Sequence, residues 1–290
     1  MTYIPKTKDA LLHQIRHKLG QCPLDFPEMW HTINTAKGAG ENHGAAGILL
    51  LLHDRPVAKP SGGDSHEMVL QLIKRSSRVP QGGDISCPGG MLNPLTDRGL
   101  AFLTGTGIIP IFQGLSRKYA RKRPPGSYRL INLFLANGLR ESWEEIRLNP
   151  FNVEFLGPLP THSLLLFRRT IFPLVAYVKK PWASQLNPEV DKLIEIPLKH
   201  FFDKSHYANF SIEAPVSENI ISTRPSQFPC FIFKESSGSQ EILWGATFNI
   251  IMSFLKIVFD FHMPDISSGP QFKRTLSAHY VTGRREDSAD

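Results

Sequence analysis

The sequence has little cysteine. It holds three in 290 residues (Cys22, Cys87 and Cys230), none in a C-x-x-C pair. An odd, widely spaced set excludes a disulfide framework and a cysteine zinc knuckle, and it suits a reducing compartment. Long apolar runs are also missing. The longest are Ala45–Leu52 and Ile250–Phe261, the second broken by Ser253, Lys256 and Asp260. Neither approaches the ~20 residues that cross a bilayer. The opening stretch Met1–Asp9 has no apolar core, so no secretory leader is expected in it. A soluble, cytoplasmic protein with no membrane partner is the expectation. Gly105-Thr-Gly107 lacks both the lysine of a phosphate loop and the later glycine of a dinucleotide fingerprint, so it reads as loop.

Acidic residues are absent from one long segment. Residues 98–135 carry Arg98, Arg117, Lys118, Arg121, Lys122, Arg123 and Arg129 against no Asp or Glu, so the net charge of +7 belongs to this segment. The rest of the chain is balanced, which argues against a nucleic-acid-sized basic surface, and no nucleic-acid partner is expected. Hydrophobic residues at 41% and charged residues at 20% exclude a disordered chain. The length fits one large domain or two small ones.

Periodicity predicts a short amphipathic helix over Asp9–Leu19, then a Pro- and Gly-bearing connection to residue 40. Ala46–Leu52 and Met68–Lys74 read as strands around a turn-rich Arg55–Ser65. Pro80–Gly90 holds four glycines in eleven residues, a shaped loop. From Leu130 to Leu148, apolar residues at Ile131, Leu135, Leu139, Trp143 and Ile146 recur every three or four positions, and Asn149-Pro150 stops the helix. Trp143 and Trp244 read as packing, and Cys87 as a buried thiol. Val153–Leu156, Thr170–Val178 and Leu193–Ile196 read as strands. Pro229–Lys234 and Glu241–Trp244 read as a hairpin, Thr247–Phe259 as a buried helix, and the tail from Thr282 as frayed. Strands alternating with helices predict an α/β fold. The domain reading is a helix and connection over 1–40, one domain over 41–265 with 98–135 as an excursion, and a tail over 266–290.

The chemistry sits in Arg140-Glu141-Ser142-Trp143-Glu144-Glu145. On a helix, Glu141, Glu144 and Glu145 fall at i, i+3 and i+4, so three like charges share a face. Arg140 offsets part of this repulsion, and a hard divalent cation with oxygen ligands would offset more. The alternative is a solvated acidic face.

Together with Gly90, this helix resembles the Nudix box, G-x5-E-x7-R-E-U-x-E-E-x-G-U with U apolar. Gly90, Arg140, Glu141, Glu144, Glu145 and Leu148 match. Forty-two residues separate Asp97 from Arg140 where the pattern has seven, Asp97 is the acid nearest the first glutamate, Ser142 replaces an apolar residue, and Arg147 stands at the closing glycine. The resemblance implies a Nudix-like α/β/α sandwich around a mixed β-sheet. It also implies a Mg²⁺ or Mn²⁺ shell of Glu141, Glu144, Glu145 and the Gly90 carbonyl, with Arg140 orienting a carboxylate.

Leu72–Arg78 with Gly82–Gly90 is similar to the motif upstream of the box in coenzyme A diphosphatases, with Cys87 in place of a Phe. Asn187-Pro-Glu-Val190, Ile196-Pro-Leu198, Phe228-Pro229 and Ile242–Thr247 are similar to later segments of that branch. This implies hydrolysis of coenzyme A or acyl-CoA to 3′,5′-ADP and a 4′-phosphopantetheine product, with Arg75 and Arg78 on the substrate. ADP-ribose, a dinucleotide or a nucleoside triphosphate is the alternative substrate, and a binding module without turnover is the alternative class. Arginine binds phosphate through its planar fork. Arg121 and Arg123 of the basic insertion are therefore candidates for drawing in an anionic substrate, on the expectation that the insertion stays near the metal helix. A homodimer is compatible with this reading.

Overall fold

The computed structural model describes residues 4–58, 64–107, 110–164, 168–213, 226–235, 238–266, 270–275 and 280. The element order begins with α1 (Lys8–Gln21), α2 (Phe26–Gly38), β1 (Gly44–Ala58), β2 (Asp64–Arg75), β3 (Ile85–Ser86) and β4 (Gly89–Met91). It continues with α3 (Pro94–Thr106), α4 (Gly114–Lys122), α5 (Pro125–Ile146), β5 (Val153–Pro158), β6 (His162–Leu164), β7 (Arg169–Val178) and β8 (Val190–Pro197). The chain then forms β9 (Tyr207–Glu213), β10 (Ser226–Lys234), β11 (Gln240–Trp244), α6 (Gly245–Phe259) and β12 (Gln271–Thr275).

The main sheet has eight strands with the path β3-β2-β1-β7-β5; β4 also pairs with β1, β6 with β7, and β8 with β2. It is mixed, because β1 runs parallel to β7 and antiparallel to β2. Side chains alternate across β1. Ala45, Leu49 and Leu51 join one core cluster with Phe26 of α2 and Ile131, Phe134 and Leu135 of α5. Ile48, Leu50 and Leu52 join the other, with Leu12 and Ile15 of α1, Phe254 of α6 and Phe231 of β10. The expected α/β/α sandwich around a mixed sheet is therefore the fold. One of its outer layers also carries a second sheet, ordered β11-β10-β9-β12. Its hairpin register, Cys230 opposite Trp244 and Lys234 opposite Gln240, agrees with the sequence reading.

Several expectations are corrected. Arg55 is not in a turn region: β1 runs through Ala58 and pairs with β2 from Asp64 onward. The connection before residue 40 contains α2. Its Pro27 sits in the first turn, where a missing N–H costs nothing, and Phe26 and Ile33 are buried. The region after residue 265 contains β12, paired parallel with β9. The tail from Thr282 lies outside the described residues.

The largest correction concerns the insertion. It is not an excursion: α3 and α4 both pack on α5. Its final residues, from Pro125, form the first half of α5, a 22-residue helix. Asn132 in that half is buried, accepts from Thr104 Oγ1 at 2.6 Å and donates to the Ala101 carbonyl, which ties α3 down. Among the described residues no helix is long and apolar enough to cross a membrane.

Candidate active site

Two sequence features set the site at the C-terminal end of α5. The first is close approach of the helix to β1. Gly138 leaves room for Leu49, whose Cγ would lie 2.8 Å from an added Cβ. Asn137, fully buried, accepts from the Gly47 N–H at 2.6 Å and donates to the Met91 carbonyl at 3.3 Å. A buried polar side chain must be satisfied, and Asn137 does so by joining β1 and β4 to the helix. The second feature is the glycine loop. Gly89 has φ 152°, and a Cβ there would collide with the Gly47 carbonyl. Gly90 pairs with Gly47 across β1 and β4, and an added Cβ would sit 2.6 Å from the Glu141 carboxyl carbon. The loop backbone can thus lie against the carboxylates.

Arg140 is the hub of the helix face. Its Nε donates to Asp97 Oδ1 at 2.7 Å, and its Nη2 to the Met91 carbonyl at 3.2 Å. Nη2 is 2.8 Å from Glu141 Oε1, and Nη1 is 3.0 Å from Glu144 Oε2. Burial works against the guanidinium charge, but the Asp97 hydrogen bond and the carboxylates outweigh it and raise its pKa. Asp97, fully buried, also accepts from the Asn93 N–H at 2.7 Å. The nearest acid to the missing first glutamate therefore anchors Arg140, although 42 residues intervene.

Glu145 is different. It is buried, accepts from the Gly89 N–H at 3.0 Å and, among the described residues, has no cationic side chain bonded to it. Burial pushes its carboxyl up to about 8; the Gly89 hydrogen bond and the Arg75 charge pull it down, and Glu141 and Glu189 push it up further. Glu141 is also raised, first by burial. Glu144 is half exposed and turned to Arg140. Among the described residues no three Asp, Glu, His or Cys side chains form a ready-made cation cluster. Glu145, buried and without a cationic partner among the described residues, and Glu141, one turn before it and paired with Arg140, suit a hard divalent cation, which prefers oxygen ligands.

The remaining candidates divide. Arg75 lies at the end of β2, close enough for its charge to act on Glu145, with Nε on the Pro80 carbonyl at 3.0 Å. Arg78 is exposed. Arg121 and Arg123 are not at the site. They precede α5, whose rise from Pro125 to Glu145 is about 30 Å at ~1.5 Å per residue. Arg123 is also occupied: its Nη2 donates to the carbonyls of Leu19, Gly20 and Cys22 at the end of α1. The insertion does stay on the metal helix, through α3 and α4, but Arg121 and Arg123 lie beyond the N-terminal end of α5, away from its carboxylates.

Other corrections are local. Ser142, at an apolar position of the motif, is buried and satisfied by donating to the Gly138 carbonyl at 2.7 Å. Trp143 is not core but 44% exposed, with the Arg147 guanidinium 5.4 Å from its ring centre. Cys87 is buried, and burial pushes its thiol up, so it is a structural thiol as expected. Sequence reasoning missed the clamp on the glycine loop. Asp84 accepts from Arg274 Nη1 at 2.7 Å, from Trp244 Nε1 at 3.3 Å and from the Tyr280 hydroxyl. The sequence reading quoted Glu189 within Asn187-Pro-Glu-Val190 but not that segment's tie to the site, the Asn187 N–H donating to the Glu145 carbonyl at 3.0 Å. A polar residue inside an apolar helical stripe was the available signal for Asn137; nothing local marks Asp84.

No family model matches the chain, and no curated protein matches it. Solved structures do resemble it. An Ap4A hydrolase binary complex from C. elegans is 14% identical over 53% of this chain and 80% of its own, with TM-score 0.31. The NUDIX domain of Shewanella oneidensis NrtR, complexed with ADP ribose, is 15% identical over 60% and 86%, with TM-score 0.33. The Nudix hydrolase RenU from M. smegmatis is 15% identical over 53% and 70%, with TM-score 0.31. At these identities and scores the likeness decides nothing about substrate or activity, and the site residues must carry the functional reading.

Proposed function

We propose that the chain is a Nudix-type hydrolase that cleaves a diphosphate linkage in a nucleoside diphosphate derivative, with coenzyme A or an acyl-CoA as substrate. The observation that carries this is the placement of Glu145. It is a buried carboxylate held by the Gly89 N–H, one turn from Glu141, with burial raising both groups and, among the described residues, no cationic side chain bonded to Glu145. A site of this kind is completed by added positive charge. Glu141 and Glu145 would hold Mg²⁺ or Mn²⁺, with Glu144 and the Gly90 carbonyl as further oxygen donors. Such an ion, when bound, neutralises phosphate charge and lowers the pKa of water. The protein's own contribution is positional. Asp97 fixes Arg140, Arg140 fixes Glu141, and the Gly89 N–H orients Glu145. Arg75 lies beside Glu145 and suits a substrate phosphate.

The coenzyme A assignment rests on the resemblance of residues 72–90 and of the later segments to that branch. We read residues 41–265 as the hydrolase unit, acting in the cytoplasm. A substrate panel followed by mass spectrometry, with Mg²⁺, Mn²⁺ or a chelator, tests this. Metal-dependent release of 3′,5′-ADP from coenzyme A is the expected result. Turnover of ADP-ribose or of a dinucleoside polyphosphate instead, the kinds of ligand named for two of the similar structures, would keep the reaction and move the substrate. No metal-dependent hydrolysis of any member would defeat the proposal.

One observation favours a second reading, a binding module without turnover. Arg140 engages both Glu141 and Glu144, and no three-carboxylate cluster is preformed among the described residues. Calorimetric binding of the same compounds without product would select it.

A further inference from the structure

The clamp on the glycine loop reaches a residue that the proposed chemistry needs. Arg75 sits where β2 shifts register against β8, directly after Lys74. Bulges of this kind re-aim side chains beside active sites. The Arg75 backbone is tied to the turn over residues 80–84. Its N–H donates to the Asp84 carbonyl at 2.9 Å, and its carbonyl accepts from the Gly83 N–H at 2.8 Å. Its Nε donates to the Pro80 carbonyl at 3.0 Å, and among the described residues its two Nη groups carry no hydrogen bond or ion pair. The direction of Arg75 is therefore set by this one turn. The turn is strained and is held from outside. Gln81 has φ 58°, left-handed backbone that costs free energy at a residue with a Cβ. Its N–H donates to the Tyr280 carbonyl at 2.7 Å. Arg274 of β12 donates through Nη2 to the Gly82 carbonyl at 3.1 Å and through Nη1 to Asp84 Oδ1 at 2.7 Å, and the Tyr280 hydroxyl donates to Asp84 Oδ2.

We propose that Asp84, Arg274 and Tyr280 are positioning residues, which aim the Arg75 guanidinium at a substrate phosphate beside Glu145. The inference rests on the hydrolase reading in one respect, that Arg75 is a phosphate ligand. Arg274 is not itself that ligand, because both of its terminal nitrogens are bonded, to Asp84 and to the Gly82 carbonyl. Nor does the clamp serve the metal end of the loop. That end is fixed by β1, where the Leu49 N–H donates to the Pro88 carbonyl at 2.9 Å and Gly90 pairs with Gly47. A guanidinium gives a phosphate two parallel hydrogen bonds only when its plane is aimed. A small rotation of the turn over 80–84 would spoil that aim while leaving Gly89 on Glu145. The Arg75 charge already acts on Glu145, so a phosphate held by Arg75 would lie against the proposed cation.

Calorimetric titration of the full chain with inorganic pyrophosphate and Mg²⁺ tests this without requiring turnover. Arg75→Gln and Arg274→Gln should each weaken binding roughly tenfold, within the ~10²-fold that a small misplacement can cost. The double variant should bind no more weakly than Arg75→Gln alone, because a clamp that acts through Arg75 then has nothing to aim. Arg274→Lys keeps the charge and should recover part of the loss. For whichever substrate the chain cleaves, Arg274→Gln should raise KM by a similar factor with a much smaller fall in kcat, the pattern of lost ground-state binding. The Arg274 side chain is 36% exposed, so circular dichroism should show the variant folded. Should it fail to fold, Tyr280→Phe, which removes one hydroxyl, runs the same cycle with a several-fold loss expected. A clamp that only holds β12 in place would lower the melting temperature and leave pyrophosphate affinity at the wild-type value, and that result would overturn the proposal. Losses that multiply in the double variant would overturn it too, as would a wild type that does not bind pyrophosphate. Binding without hydrolysis of any compound would defeat the hydrolase reading instead, and the double-variant cycle would still decide the positioning role.

Discussion

The two ends of α5 treat charge in opposite ways. At the C-terminal end, Asp97 and Glu145 are buried, and Arg140 is spread over three carboxylates and a carbonyl. At the N-terminal end, Arg121, Lys122 and Arg129 lie in solvent, and Arg123 alone is committed, to backbone carbonyls. Buried charge is costly unless paired, so it persists where something offsets it. Exposed charge at the other end costs little and contributes little to stability. The proposed chemistry belongs to the first end. Mutations at each end should therefore have different readouts.

The largest expected effect is on turnover. Glu145→Gln keeps the shape and removes one charge, and should lower kcat by ~10²-fold or more, the scale for losing an electrostatic stabiliser. Fold and thermal stability should be retained, because the replaced carboxylate is buried with no cationic side chain bonded to it. Unchanged turnover in the purified variant would remove Glu145 from the site and erase the contrast between the two ends.

Asp97→Ala breaks the buried pair that aims Arg140. It should cost about 3 kcal/mol in denaturant unfolding, the scale for removing one member of such a pair. Because Arg140 keeps Glu141 and Glu144, a cost well under 1 kcal/mol would mean that those two carboxylates suffice and that Asp97 is incidental.

The contrast can also be read from pH. In the folded chain burial pushes Glu145 up to about 8, from 4.5 for an ordinary glutamate. Between those values the folded state keeps a proton that the unfolded state has released. Stability contributed by this group is therefore present at low pH and lost as pH rises through that window. Without divalent cations the melting temperature should fall from pH 5 to pH 8, by an amount equivalent to on the order of 2 kcal/mol. Glu145→Gln should flatten the curve, and a flat wild-type curve would show that Glu145 is ionised without help.

Much of this was legible in the sequence. The α/β class and the helix bearing Arg140 to Glu145 followed from periodicity, because a helix face is a local property, and its contact with the glycine loop followed from the resemblance to the Nudix box. What was missed is non-local. Asp97 stands 43 positions before Arg140 and reaches it because α3 folds back along α5. Asp84 meets Arg274 and Tyr280 across nearly 200 positions, through a second sheet whose parallel strand β12 arrives late in the chain. The insertion was misread because its charge was visible and α3 and α4 were not. The helix read from Leu130 already lay partly inside it, and α5 begins one turn and more earlier, at Pro125.

At the opposite end of α5, Arg123→Gln should cost about 1–2 kcal/mol, since one guanidinium nitrogen serves three carbonyls at the end of α1. Neither this change nor Arg121→Gln should alter KM for coenzyme A by more than about twofold, given a separation of about 30 Å and a screening length of ~8 Å at physiological salt. A KM rise in Arg121→Gln with unchanged stability would bring the insertion back to the site and collapse the distinction.

The smallest effect tests the residue where the motif has its closing glycine. Arg147 caps α5 with φ 53° and ψ 32°, left-handed backbone, and its N–H and that of Leu148 return to the carbonyls of Trp143 and Ser142. Glycine is the usual residue at such a cap because it has no Cβ to strain, and another L-residue there costs roughly 1 kcal/mol. Arg147 recovers part of that cost. Its guanidinium lies over the half-exposed Trp143 ring at 5.4 Å, a contact worth ~0.5 kcal/mol at an exposed position. Glycine also enlarges the freedom of the unfolded chain, which works against it. Arg147→Gly should therefore change stability by less than about 0.5 kcal/mol, whereas Arg147→Ala, which keeps the strain and loses the ring contact, should cost about 0.5 kcal/mol. Urea unfolding of both variants separates the two contributions. If Arg147→Gly were stabilising by a full 1 kcal/mol, the arginine–tryptophan contact would be contributing nothing. If Arg147→Ala were neutral, the guanidinium would not be holding the cap, and the left-handed turn would be fixed by the backbone hydrogen bonds to Trp143 and Ser142.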